Sequence, residues 1–286
     1  MNSSVKKTVT YICPVDHKGS TVSIQGSVLG GMKNTPIIIV HDLGETFENY
    51  AAFSEYCLQT RFHVYGFDMR WSLQDQKNTA SSAHLNQLIL DLLQVLTWVK
   101  YNEDGQKPIL IGQGAGALVA LFLAAEYTQF CAGLVLTSPL LFLDPPLGNF
   151  SRKMIQILSQ IAPNFHTPRG LCPNFTGLEF RAHRGLFGPL SPSQISNQLA
   201  NELLDAMSQV RKTLQVLKLP SYLLCAGEDP LCKPDFLQRW FQRHRWPETL
   251  KLSVLPSSQH RLLSKEGQML EQSMGLLLPW LEPMRT

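Results

Sequence analysis

Several absences narrow the reading of this chain before any motif does. No run approaches the ~20 uninterrupted apolar residues of a membrane-spanning helix. The stretch at 109–125 is broken by glycines, and that at 134–143 is short and carries Ser138-Pro139. The first residues, Met1-Asn-Ser-Ser-Val-Lys-Lys-Thr8, hold two lysines but lead into no apolar segment, so no secretory signal is visible. There is no internal repeat and no low-complexity tract. The six cysteines (Cys13, Cys57, Cys131, Cys172, Cys225, Cys232) form no Cys-x-x-Cys pair and have no clustered histidines. Three of them sit in apolar surroundings, so reduced thiols fit better than disulfides or a metal. The expectation is a cytoplasmic protein without cofactor or metal, making at most peripheral membrane contact.

An excess of one charge is also missing. Lys and Arg number 25 against 22 Asp and Glu, a formal charge of +3 that is too mild to imply nucleic acid. The most basic local cluster, Arg239, Arg243, His244 and Arg245, falls at helical spacing and reads as a solvated helix end. An anionic membrane surface is its minor alternative.

What is present is core material: 286 residues, 44% of them hydrophobic, enough for one large α/β domain or one domain with an insertion. Residues 8–13 and 21–28 read as a hairpin. Pro36-Ile-Ile-Ile-Val-His41 is a continuous apolar strand of the kind buried on both faces of a parallel sheet. A helix is expected over 45–58, a strand over 62–67, and an amphipathic helix through Leu85, Leu88, Ile89, Leu92, Leu96 and Val99. Further strands are expected at 109–111, 133–138, 220–226 and 250–255, and a closing helix from 262 to about 281. Strands alternating with helices mean βαβ units and a mostly parallel sheet with helices on both faces. The rhythm breaks from 139 to 219, a proline- and glycine-rich insertion with a helix at 197–217. Its place at the strands' carboxyl ends is where a lid would lie.

The organising stretch is Pro108-Ile-Leu-Ile-Gly112-Gln113-Gly114-Ala115-Gly116 and the apolar helix after it. A buried strand turning directly into a helix through small residues has the form of the nucleophile elbow, G-x-S-x-G. The middle position here is Gly114. The frame of a serine hydrolase is present and its serine is not.

These features together resemble the α/β-hydrolase superfamily, within it the monoglyceride lipase and lysophospholipase branch (serine aminopeptidase-like), over about 37–281. His41-Asp42-Leu43-Gly44-Glu45 is similar to that branch's His-Gly-x-Gly-Glu, and Tyr50 to an aromatic in the following helix. Thr137-Ser138-Pro139-Leu140 resembles its Ser-Pro motif, and Pro163-Asn164 and Gly188-Pro189-Leu190 its cap motifs. Gly227-Glu228-Asp229-Pro230-Leu231-Cys232 resembles the acid loop, and Ser258-Gln259-His260-Arg261-Leu262 the histidine loop. The order of elbow, Asp229 and His260 is the Ser…Asp…His order of this fold. The resemblance implies a carboxylic ester hydrolase of the monoacylglycerol or lysophospholipid class and a small acyl or lipid-like ligand. It implies Asp229 as orienter, His260 as base and the backbone N–H groups of Leu43 and Ala115 as oxyanion hole. The cap is expected at about 140–219 of a single domain, 1–286.

The departures fall on chemistry. Gly114 stands at the nucleophile position, Asp42 replaces a glycine beside the oxyanion hole, and Trp71-Ser72-Leu73 replaces Gly-His-Gly after Asp68. Glycine has no group that attacks a carbonyl, but it relieves elbow strain of on the order of 1–3 kcal/mol. Asp42 has two readings: turned to solvent or capping the helix near Thr46, or facing the hole. A carboxylate ~4 Å from a developing oxyanion opposes it by about 4 kcal/mol at an effective dielectric near 20. The expectation is a catalytically impaired pseudo-hydrolase that binds an acyl-type ligand or a partner. The alternative is an active ester hydrolase with a non-standard or engineered-out nucleophile. Serine restored alone at Gly114 is expected to fold, at the cost of the elbow strain. His84, His166 and His183 read as surface or cap residues, Glu228 as an understudy to Asp229, and Cys232 as a small buried hydrophobe.

Overall fold

The computed structural model describes residues 6–14, 21–29, 34–71, 83–142, 147–167, 171, 195–229, 233–264 and 266–285. Ser72-Leu73, His183, Cys172, Gly188-Pro189-Leu190 and Pro230-Leu231-Cys232 lie outside them. Eight strands form one sheet: β1 (Lys6–Pro14), β2 (Thr21–Leu29), β3 (Thr35–Val40), β4 (Phe62–Phe67), β5 (Ile109–Gln113), β6 (Gly133–Thr137), β7 (Ser221–Ala226) and β8 (Leu250–Leu255). Their spatial order is β1-β2-β4-β3-β5-β6-β7-β8. β1 and β2 pair antiparallel, β2 runs antiparallel to β4, and all pairings from β4 to β8 are parallel. The expected fold class is therefore observed: a mostly parallel sheet covered on both faces.

Strand alternation distributes the apolar runs between two cores. Ile38, Val40, Leu110, Leu134 and Leu136 point to one face, Ile37, Ile39, Ile109, Ile111 and Val135 to the other. The first face carries α2 (Leu85–Asn102), α3 (Gly116–Glu126) and α5 (Asn197–Val216) through Leu88, Leu92, Leu118, Leu203 and Val210. The second carries α1 (Ala51–Gln59) and α7 (Gln268–Leu281) through Phe53, Cys57, Met274 and Leu277. A helix buried all round is apolar all round, which describes α3. Between β6 and β7 the chain leaves the sheet, carrying α4 (Asn149–Ile161) and α5; α5 packs on both α3 and α4. α6 (Pro234–Gln242) follows β7.

Two helix starts differ from the sequence expectation. The helix expected over 45–58 begins as a 3-10 turn, Phe47–Tyr50, and becomes α-helical only at Ala51. The backbone N–H groups there are satisfied by side chains, Thr46 N–H by Asn49 Oδ1 within the turn at 2.8 Å and Phe47 N–H by Asp68 Oδ1 outside it at 2.8 Å. The closing helix starts at Gln268 rather than at residue 262, because Gly267 sits at φ +89°, outside any helical conformation. Leu262 and Leu263 are nonetheless fully buried, as their apolarity required.

Candidate active site

The site is assembled at the carboxyl ends of β3, β5, β7 and β8. β5 delivers Gly112 and Gln113, and the chain turns at Gly114, φ +56°, into α3 with Ala115 already helical. Two bonds fix the turn: Gly114 N–H donates to Thr137 O at 3.1 Å, and Leu140 N–H donates to Gly114 O at 2.9 Å. Gly116 lets α3 approach β3 closely, since a Cβ there would lie 2.4 Å from the carbonyl oxygens of Val40 and His41.

The β3 turn carries Asp42, and its carboxylate is folded inward. Asp42 is 6% exposed. Its Oδ1 accepts hydrogen bonds from Leu43 N–H at 2.8 Å and Ala115 N–H at 2.7 Å. Its Oδ2 lies 2.9 Å from His260 Nε2. Of the two readings of Asp42, the solvent or helix-cap one is corrected: the buried N–H groups of Leu43 and Ala115 attract the charge inward. The pair of donors expected to receive a substrate oxyanion hold this carboxylate instead.

On the other side, His260 Nδ1 lies 2.8 Å from Asp229 Oδ2; His260 is 1% exposed and Asp229 3%. Both ring nitrogens thus face carboxylate oxygens. Two such bonds need protons on both nitrogens, or a proton on Asp42 that Nε2 accepts. Either way the trio holds one proton more than a neutral histidine between two carboxylates. The histidine loop is tied to the elbow by Gln113 Nε2, which donates to His260 O at 3.1 Å. Ser258 Oγ accepts from Gly227 N–H at 3.1 Å, joining the acid and histidine loops.

Gly114 and Asp42 occupy one volume between them. A Cβ on residue 114 would stand 2.1 Å from Asp42 Cγ and 2.2 Å from both carboxylate oxygens. The expectation that serine at Gly114 would cost only elbow strain is corrected by that overlap: any side chain there must first expel the Asp42 carboxylate from the hole.

Glu45, which sequence reasoning treated only as part of a motif, is the hub behind this arrangement. It is 2% exposed. Its Oε2 accepts from Tyr50 Oη at 2.5 Å and from Asp42 N–H at 3.3 Å, while its Oε1 accepts from Ser264 Oγ at 3.0 Å and pairs with Arg261 Nε at 3.0 Å. One carboxylate therefore braces both the Asp42 turn and the residues after His260. Burial, and then the Glu45 charge, push the Tyr50 phenol well above its ordinary range, so it stays a donor. His41 is held with its proton on Nδ1, donating to Asp42 O at 2.8 Å, while Nε2 accepts from Met69 N–H at 2.8 Å. Burial pulls its imidazole below the usual range, against smaller opposing contributions from the Asp42 carbonyl and from Asp68, Glu45 and Asp42. Asp42 and Tyr50 are local partners, but Ser264 lies 219 residues away on the segment that also carries Arg261, so nothing local in the sequence announces Glu45 as a hub.

Elsewhere, His84 pairs with Glu202 at 3.0 Å on the surface, and His166 bridges Ser196. Cys57 and Cys131 are free and buried, and Cys225 is buried. Among the described residues there is no group of three metal-ligating side chains, and no helix long and apolar enough to cross a membrane.

With this geometry in view, the likeness to known proteins is decisive for family. Residues 33–267 match the family described as serine aminopeptidase, S33. The chain belongs to the serine aminopeptidase S33 family. Human monoglyceride lipase is 24% identical over 207 residues, 71% of this chain and 67% of that protein. Among solved structures, the monoacylglycerol lipase of Paleococcus ferrophilus superposes with TM-score 0.69 at 19% identity, covering 97% of this chain and 99% of that one. A soluble variant of monoglyceride lipase from Saccharomyces cerevisiae, in complex with a substrate analog, gives 0.73 at 15% identity, covering 100% and 97%. This S33 member is thus an α/β-hydrolase similar to monoglyceride lipases and esterases.

Proposed function

We propose that this S33-family protein is a pseudo-hydrolase: it keeps the hydrolase pocket for an acyl-type ligand and does not turn over esters by the serine route. One observation carries the reading. The Asp42 carboxylate sits on Leu43 N–H, Ala115 N–H and His260 Nε2, where a substrate oxyanion and a serine hydroxyl would be served. Loss of a triad serine costs roughly six powers of ten in turnover. Here the hole is filled as well, by charge-assisted bonds worth about 1.5–3 kcal/mol each, so a substrate carbonyl must compete with an internal anion. Asp229 and His260 then act as the partners of Asp42 rather than of a nucleophilic serine. The excursion between β6 and β7 is assigned as the cap over this pocket. The human monoglyceride lipase likeness motivates the acyl class of ligand.

The test is a serine-directed fluorophosphonate probe together with p-nitrophenyl butyrate hydrolysis, on wild type and on the double variant Asp42→Gly with Gly114→Ser. Wild type should neither label nor hydrolyse above background, and the double variant should gain both, since it restores nucleophile and hole together. Labelling or hydrolysis by wild type at the level of the double variant defeats the pseudo-hydrolase reading.

A further inference from the structure

The most basic stretch of the sequence does not stand alone on its helix end. The carboxyl-terminal half of α5 lies beside the end of α6 and the turn after it, and two hydrogen bonds join them. Arg211 Nη1 donates to His244 Nε2 at 3.3 Å, and Gln215 Nε2 donates to Arg245 O at 3.3 Å. His244 Nδ1 donates to Trp240 O at 2.8 Å, which leaves Nε2 as the acceptor for Arg211. Packed rings hold the backbone under this seam. The Trp240 and Trp246 centroids are 4.6 Å apart, Phe241 stacks on Trp246 at 5.2 Å, and Trp246 Nε1 donates to Phe241 O at 2.7 Å. All three rings are half-buried and rest on the core beneath.

The joined segments carry Arg211, Lys212, Arg239, Arg243 and Arg245, every one of them exposed. Among the described residues none of the five makes an ion pair. The acids next in sequence, Asp235 and Glu248, are exposed and pair with none of them, and Asp205 is paired with Arg152. These cations alone exceed the formal charge of +3, so the rest of the chain is net negative. Gathering unpaired like charge on one face costs self-repulsion, and nothing within the described fold offsets it. An external anionic partner does.

We propose that this face docks on a lipid bilayer carrying anionic headgroups. Guanidinium and ammonium groups meet the headgroup phosphates and carboxylates, and half-buried indoles suit the layer just beneath, where amphipathic rings are favoured. Nucleic acid is the poorer fit, because the pI of about 8.5 falls short of that of a nucleic-acid-binding domain. Val216, 72% exposed in line with Arg211, Lys212 and Gln215 on α5, favours a lipid surface over an acidic protein. The acyl class of ligand favours it too, and in that respect the proposal rests on the pseudo-hydrolase reading. Since α5 belongs to the excursion assigned as the cap, a bilayer held here lies against the cap.

The experiment is co-sedimentation of the full chain with sucrose-loaded vesicles, of phosphatidylcholine alone or with about 30% phosphatidylserine. At about 0.05 M salt wild type should pellet with the anionic vesicles and not with the neutral ones, and about 0.5 M salt should release it, because salt screens exposed charges. Each cation near such a surface strengthens binding about fivefold, so Arg211→Gln with Arg243→Gln and Arg245→Gln should weaken it on the order of 100-fold. Arg61→Gln with Lys107→Gln and Arg285→Gln removes equal charge elsewhere and should stay within about threefold of wild type, being more than a Debye length from the contact. Melting curves establish that both triple variants are folded. Wild type that binds neither vesicle, or both equally, overturns the proposal, as does an equal loss in the two triple variants. Tighter binding to polyglutamate or to duplex DNA at the same salt gives the face to another polyanion and overturns the lipid assignment. None of these results touches the pseudo-hydrolase reading, which stands or falls on ester turnover and fluorophosphonate labelling.

Discussion

The two sides of the site are built differently. On the acid side, Asp229 and His260 keep the separation a hydrolase needs, 2.8 Å, on loops joined by Ser258. On the nucleophile side Gly114 carries no side chain, and the Asp42 carboxylate lies where a Cβ on residue 114 would be. Buried donors need an acceptor, because an unsatisfied N–H costs about 1–3 kcal/mol. Leu43 N–H, Ala115 N–H and His260 all obtain one from Asp42. The lesson is that a hole made by backbone amides demands an acceptor whatever stands at the elbow, since the amides belong to the fold.

The sharpest way to break the contrast is to remove the group that braces both sides. Glu45→Ala removes the Arg261–Glu45 ion pair and the carboxylate that Tyr50, Ser264 and Asp42 N–H share. Breaking a buried ion pair in this way costs about 3–5 kcal/mol, and chemical denaturation should show that loss. A shift below about 1 kcal/mol would mean that the two sides are held independently of Glu45.

A smaller effect comes from pH, and it belongs to the nucleophile side alone. Burial lowers the His41 imidazole relative to its unfolded value of 6.5. Below that pH the unfolded chain takes up a proton that the folded chain resists, so stability should fall as pH drops, by up to about 1.4 kcal/mol per pH unit. Above it both states are neutral there and the contribution vanishes. His41→Asn should weaken the fold at pH 8 yet flatten the slope between pH 6.5 and 5. Equal slopes in wild type and variant would remove His41 from the account.

How much of this was legible in the sequence depends on the range of the interaction. Apolar runs such as Ile37–Ile39 and Ile109–Ile111 were readable as buried strands because burial on both faces leaves no alternation to hide. The elbow was readable because strand, small residues and helix are contiguous. Asp42 was not settled, because its partners Ala115 and His260 lie 73 and 218 residues away. The available signal was two departures from the family resemblance, Gly114 and Asp42, in loops that meet. Glu45 left no such trace. The late start of the closing helix was missed because Leu262 and Leu263 continue its apolar pattern up to Gly267.

Thiol chemistry offers the smallest and most local comparison. Cys57 lies on the buried face of α1, and Cys225 lies on β7 before the Asp229 loop; both are fully buried. Burial pushes the Cys57 thiol far above the ordinary range, leaving almost no thiolate to react. Peptide mapping after treatment with a thiol reagent should find both unmodified in native protein. Graded denaturant should expose them together if the two sides open as one unit, and Cys57 first if the nucleophile side is the weaker.

The central claim is that Asp42 and Gly114 share one space, and a double-mutant cycle tests it most directly. Unfolding free energies are measured for wild type, Asp42→Gly, Gly114→Ser and the double variant. Gly114→Ser alone should be destabilised by about 2–6 kcal/mol, combining elbow strain with overpacking against the carboxylate. With Asp42→Gly in place the same serine should cost only the strain, about 1–3 kcal/mol, leaving the overpacking part, about 1–3 kcal/mol, as the coupling. Costs that simply add, within about 0.3–0.5 kcal/mol, would contradict the claim that the carboxylate fills the place of the missing side chain.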